Sequence, residues 1–185
     1  MDVKIISTKQ DVLSFWFEEI KPEQQFKKDA DFDAMLTTRA SEIVRKALNG
    51  QIDSWAETAD GTLALIIILD QFTRNIFRDT PHAFSGDEMA LVLCLKAIAS
   101  DWFDELPNNH KHFLLMPMMH SEEISIQKKS LPFFHQLSNK QTYDYAIKHH
   151  DIILKFDRFP HRNAILGRPS TNEELAFLKQ PGSAF

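Results

Sequence analysis

Two segments of this chain concentrate the side chains that grip anions. The first runs Asp70-Gln-Phe-Thr-Arg74-Asn75-Ile-Phe-Arg78, the second Asp157-Arg158-Phe-Pro-His161-Arg162-Asn163-Ala-Ile-Leu-Gly-Arg168. Both read Asp, any residue, Phe, then an Arg-Asn pair with a further Arg downstream. Arginine offers a planar fork of donors that fits a carboxylate or phosphate in bidentate fashion. Asparagine donates and accepts, so it suits a backbone segment or a ligand amide. Set across one groove, Asp70, Arg74, Asn75 and Arg78 would face Arg158, His161, Arg162, Asn163 and Arg168. His120, Glu122 and His149 would line its wall. Such a groove would bind a small anionic ligand or a peptide carboxylate. A second reading is an enzyme, because a histidine beside carboxylates suits general acid–base work. His120 or His161 would then move the proton, and the arginines would stabilise developing negative charge. A third reading is structural, with Asp-Arg clamps in a protein-interaction role. Asp70 and Arg74 are four residues apart and can pair along a helix. Arg158 and Arg162 can satisfy carbonyls at a helix end, and Asn75 and Asn163 can form turns or caps.

Other chemistry lacks its signals. The chain has no glycine-rich phosphate loop and no Gly-x-Ser-x-Gly elbow, so no cofactor is expected. His110 with His112, and His149 with His150, miss the i, i+4 spacing of the helical zinc motif, so no metal is expected. The single cysteine, Cys94, excludes an internal disulfide and sits among leucines as a small hydrophobe. Lys+Arg number 21 against 26 Asp+Glu, a net charge of −5 that argues against nucleic acid as partner. That balance is uneven: of the seven arginines, only Arg39 and Arg45 lie outside the two echoing segments. The longest apolar run, Leu63 to Leu69, is far short of the roughly 18 residues that span a membrane. Met1 to Ser7 lacks the regions of a secretory leader, which points to the cytoplasm.

The elements that must position these residues read as helices. With 185 residues and 43 % hydrophobic residues, the composition suits one domain, 1–185, with one sizeable core. Thr8 caps a first helix carrying Val12, Phe15 and Trp16. Asp29 or Asp31 caps a second with a stripe of Phe32, Met35, Leu36, Ile43, Val44, Ala47 and Leu48, stopped at Asn49-Gly50. Asp60-Gly-Thr62 opens a third, apolar on nearly every side and therefore central. Ser85 with Glu88 forms a capping box for a fourth. Pro107 begins another that Pro117 interrupts, and Ser121 caps one through about Leu137. Residues Gln141 to Phe156 form a helix with Tyr145, His149, Ile152 and Phe156 facing inward. Ser170 and Thr171 with Glu173 and Glu174 cap a last short helix. The expectation is an all-α, antiparallel array of about seven or eight helices with no strand.

These residues resemble a mostly bacterial family catalogued as domain of unknown function 924. The resemblance rests on Leu69-Asp-Gln-Phe-Thr-Arg-Asn-Ile-Phe-Arg78, Pro117-Met-Met-His-Ser-Glu122 and Phe156-Asp-Arg-Phe-Pro-His-Arg-Asn-Ala-Ile-Leu-Gly-Arg168. The opening Val12-Leu-Ser-Phe-Trp-Phe17 and the tail Ser170 to Leu178 also fit. The resemblance covers nearly the whole chain and implies a tetratricopeptide-like helical array with no established activity. The chain departs from the family pattern at Thr73, where the family usually has Pro, and at Asp79 and Asp157, where it usually has Gly. Losing a glycine removes easy access to left-handed backbone, although Asp tolerates that conformation better than most residues.

Overall fold

The computed structural model describes residues 4–137 and 140–183. Met1 to Val3, where the leader reading begins, lie outside the described residues. The described chain is all-α, with no strand. It forms two compact units, residues 1–78 with 82–117, and residues 79–81 with 118–185.

In the first unit, Thr8 caps α1 (Lys9–Ser14) through a capping box with Asp11. A π-helical turn, Phe15–Glu19, continues it. Asp29 caps α2 (Ala30–Leu48) by accepting from the N–H groups of Asp31 and Phe32. Its buried stripe includes Phe32, Leu36, Ile43, Val44 and Ala47, and Gly50 ends the turn at φ 70°. Then come α3 (Ala59–Ile66), a second π turn (Ile67–Phe72) and α4 (Thr73–Ile76), continuous in sequence. Leu63 to Leu69 and Phe72 are all essentially inaccessible to solvent, as a helix apolar on every side requires. The cap of α3 is Thr58, which accepts from Gly61 N–H, rather than a residue of Asp60-Gly-Thr62. The two π turns meet through their rings: Phe15 stands edge-on to Phe72 at 5.8 Å, and Trp16 lies 5.8 Å from it.

The start of α5 (Asp87–Ala97) differs from the sequence reading. Its N-cap is Gly86, and the Ser85 hydroxyl instead donates to His82 O. A Cβ at position 86 would collide with the Leu69 backbone, so close helix approach, not hydrogen bonding, selects this cap. Buried on α5 are Ala90, Cys94 and Ala97, while Val92 is exposed. Helix α6 (Asn108–His120) passes through Pro117 instead of ending there. Proline removes one donor, but Phe113 to Met116, Met118 and Met119 are buried around it and hold the helix.

In the second unit, α7 (Ile124–Leu137) packs on α8 (Lys140–Phe156). The inner face of α8 is Ala146, His149, Ile152 and Ile153, and Tyr145 is exposed, one position round from the sequence reading. Ile152, Ile153 and Phe159 form a core with Ile124, Phe156 and Phe177 against it. Thr171 caps α9 (Asn172–Phe177) in a capping box with Glu174. Among the described residues, Asp79 and Asp157 are the non-glycine residues with positive φ, both 60°, so the chain is left-handed where the family usually has glycine.

Candidate functional site

The sequence candidates divide between the units. Asp70, Arg74, Asn75 and Arg78 belong to the first, and His120, Glu122, His149, Arg158, His161, Arg162, Asn163 and Arg168 to the second.

In the first unit the π turn turns Asp70 fully inward. Its carboxylate accepts from Gln71 Nε2 and pairs with Arg74 Nη1 at 3.1 Å. Arg74 then forks onto Asp87, at 2.8 and 3.0 Å. Arg78 forks onto Asp33 on α2 and donates to Asn75 Oδ1 at 2.7 Å. Asn75 donates in turn to Gln71 O at 2.9 Å. Two arginines here meet three carboxylates, Asp33, Asp70 and Asp87.

The second segment repeats this wiring. Arg168 forks onto Glu122, at 2.7 and 3.0 Å, and its Nε donates to Asn163 Oδ1 at 3.0 Å. Asn163 donates to Ser170 Oγ at 3.0 Å. In both segments, then, the downstream arginine holds the motif asparagine and a carboxylate distant in sequence. Glu122 also accepts the Phe159 N–H at 2.8 Å, tying the loop after α6 to the end of α8. Arg158 forks onto Glu174, at 2.6 and 2.8 Å, and donates to Pro169 O.

Around Phe159 a different group assembles. The Arg162 guanidinium lies 4.5 Å over the ring and donates to His120 O at 3.0 Å. His149 stands edge-on to the ring at 5.5 Å, His161 lies 5.6 Å from it, and His120 lies 6.3 Å from His149. The structure thus brings His120, His149, His161 and Arg162 together. His149 is 5 % exposed, whereas His120 and His161 are half-buried and reach the surface. His149 Nδ1 lies 2.8 Å from Tyr145 O, an acceptor, so Nδ1 carries the proton in the neutral ring and Nε2 the lone pair.

Burial pushes the His149 imidazole down to about 3, with His120, Arg162 and His161 pressing the same way. Burial and then Arg162 bring His161 to about 4. Both rings are neutral at pH 7. Burial alone would raise Glu122, but the hydrogen bonds from Arg168 and Phe159 N–H outweigh it and hold the carboxyl below its usual range. Hydrogen bonds from Arg158 hold Glu174 near 2.

Sequence reasoning missed the carboxylate partners Asp33, Asp87 and Glu174, and the central ring of Phe159. Glu174 was visible as a capping residue, and the structure shows it also accepting Arg158. Asp33 lies 45 residues from Arg78, a separation at which no local spacing rule operates. Among the described residues no three His, Cys, Asp or Glu side chains are placed to hold a metal ion, and no helix is long and apolar enough to cross a membrane.

No curated protein matches this chain. The solved structure of ATU0120, a protein of unknown function from Agrobacterium tumefaciens, is similar, with a TM-score of 0.87 and 34% identity over 92% of this chain and 96% of that one. Residues 12–182 match the family described as bacterial protein of unknown function, DUF924, and the chain belongs to that family.

Proposed function

We propose that this protein is a binding module for a small anion or a peptide carboxylate, and that the ligand is taken by the second unit at His120, His161 and Arg162. The single observation that carries the reading is the gathering of His120, His149, His161 and Arg162 around Phe159. In the first unit Arg74 and Arg78 are forked onto Asp87 and Asp33, so its Arg-Asn motif suits a clamp and not an anion. Arg162 is buried beside half-buried His120 and His161, and a partly desolvated cation attracts an anion more strongly than an exposed one. The repeated wiring of Arg78 and Arg168 gives both motifs a structural duty, and the recognition groups of the proposal are Arg162 and the histidines.

Thermal unfolding in rising sulfate, and separately in an N-acetylated dipeptide with a free carboxylate, tests the reading. We expect a saturating rise in Tm with at least one of them, following RT ln(1 + [L]/Kd), and its loss in Arg162→Ala or His161→Gln. A flat Tm with both probes, or an equal rise in Arg74→Ala-sensitive and Arg162→Ala-insensitive form, overturns it. The dipeptide arm separates a carboxylate site from a phosphate-like one.

A further inference from the structure

Helix α5 is apolar almost all the way round, and its packing is inverted. Its small residues Ala90, Cys94 and Ala97 are buried, and the helix lies on α3 and the second π turn. Its large ones are left open: Val92 is 46 % exposed, and Met89, Leu91, Leu93 and Leu95 each keep part of their surface in water. A helix apolar on every side ordinarily belongs in a core, because each open aliphatic side chain forgoes the gain of leaving water. Gly86 explains the inner half of this pattern, since a small inner face lets the start of α5 lie against the Leu69 backbone. Nothing in that close approach accounts for the large apolar residues on the other side. A contiguous open apolar face of this kind marks an interaction surface.

Charge marks what covers that face. Glu88 and Lys96 are both exposed, one four residues before Val92 and the other four after it, so all three share one stripe of the helix. Roughly two turns and about 12 Å apart along the axis, the two charges cannot pair with each other. Among the described residues neither engages in an ion pair. With a second α5 laid antiparallel on the first and a two-fold axis through Val92, Glu88 of each copy meets Lys96 of the other. Met89 then meets Leu95, and Val92 meets Val92. A two-fold interface has to be self-complementary in this way. The antiparallel helices also bring the positive start of each beside the negative end of the other. We infer that α5 is the interface of a two-fold homodimer, with a second copy of this chain covering its outer face. Val92 forms the apolar centre, and the two Glu88–Lys96 pairs set the register. Exposed ion pairs contribute little affinity and mainly fix orientation, so the drive is apolar burial. An 11-residue helix is about 16 Å long and about 10 Å wide. That face is well short of the roughly 800 Å² per partner of a standard interface, so association is weak and reversible, with a Kd on the order of 100 μM.

Sedimentation of the full chain from about 5 μM to about 1 mM tests the dimer. We expect the weight-average mass to climb from that of a monomer toward that of a dimer and no further. Val92→Glu places two carboxylates on the axis and should weaken association by at least about tenfold. Glu88→Lys and Lys96→Glu each set like charges opposite one another at both ends of the interface, and each should weaken it by about threefold to tenfold. The double variant E88K/K96E restores opposite charges across the axis and should return the parent Kd to within about threefold. An effect on α5 alone would instead accumulate in the double variant, because both reversals oppose the helix dipole. A monomer at every concentration overturns the dimer and leaves the face to a different protein or a membrane surface. Association unmoved by Val92→Glu, assembly beyond a dimer, or a double variant weaker than either single one overturns it too. Circular dichroism and urea midpoints establish that the variants are folded.

Discussion

At Asp157 the backbone turns left-handed, at φ 60°, directly after the last residue of α8. A Cβ in that region crowds the following carbonyl at a cost of roughly 1–2 kcal/mol for most residues, less for Asp. We expect Asp157→Gly to stabilise the fold by about 0.5 kcal/mol after glycine's greater unfolded freedom is deducted, and Asp157→Val to destabilise it by more than about 1 kcal/mol. Urea midpoints of the two variants check this, and a stability order reversed from Gly, Asp, Val would contradict it. Protonation is the other residue-scale effect. His149 titrates at about 3 and His161 at about 4 when folded, against 6.5 for a free imidazole. The unfolded chain therefore binds protons first as pH falls. This contribution to stability is fully present above about pH 6.5 and is lost toward pH 4, at up to about 1.4 kcal/mol per pH unit for each ring. Glu174, depressed from 4.5 to about 2, loses its contribution only below about pH 4.5. Hence the urea midpoint should fall steeply between pH 6.5 and pH 5, and His149→Gln should flatten that slope. A midpoint unchanged over the window would refute the burial of neutral rings.

The helices of the first unit fit by close approach where glycine permits it. Gly86 lets the start of α5 lie against the Leu69 backbone inside the second π turn. There Thr73 N–H reaches back to Ile68 O, and the Thr73 hydroxyl takes the Leu69 carbonyl at 2.7 Å. The wider π turn thus has its Ile68 and Leu69 carbonyls both accepting from Thr73, and it aims Asp70 at Arg74. Gly86→Ala forces the two backbones apart, and we expect a loss of roughly 1–3 kcal/mol, the usual cost of overpacking. Differential scanning calorimetry reads it, and a Tm within a degree of the parent would show that α5 can shift freely. Helix caps at Thr8, Asp29, Thr171 and the stop at Gly50 were legible in the sequence, because a cap depends on a residue and its near neighbours. The cap of α5 and the passage of α6 through Pro117 were not. Both depend on tertiary packing, a Leu69 carbonyl close to Gly86 in one case and the burial of the Leu, Met and Phe side chains of α6 itself in the other.

Taken as a whole, the molecule carries two copies of one wiring, and beside the second stand His120, His149, His161 and Arg162. Sulfate titration followed by amide chemical shifts should therefore move residues around His120, Phe159 and Arg162 and leave those around Arg74 and Arg78 in place. Perturbation centred on the first motif would refute the assignment of the anion to the second unit. The all-helical class, the central apolar helix and the family were determined by the sequence itself, through periodicity, capping pairs and long motifs. The left-handed backbone at Asp79 and Asp157 had only an indirect signal, the family's usual glycines at those positions. The duties of the arginines were decided by tertiary structure alone. Arg78 and Arg168 look alike in sequence, and their partners Asp33 and Glu122 lie 45 and 46 residues away. A guanidinium binds whichever carboxylate the fold brings to it, and no local rule reports which one that is.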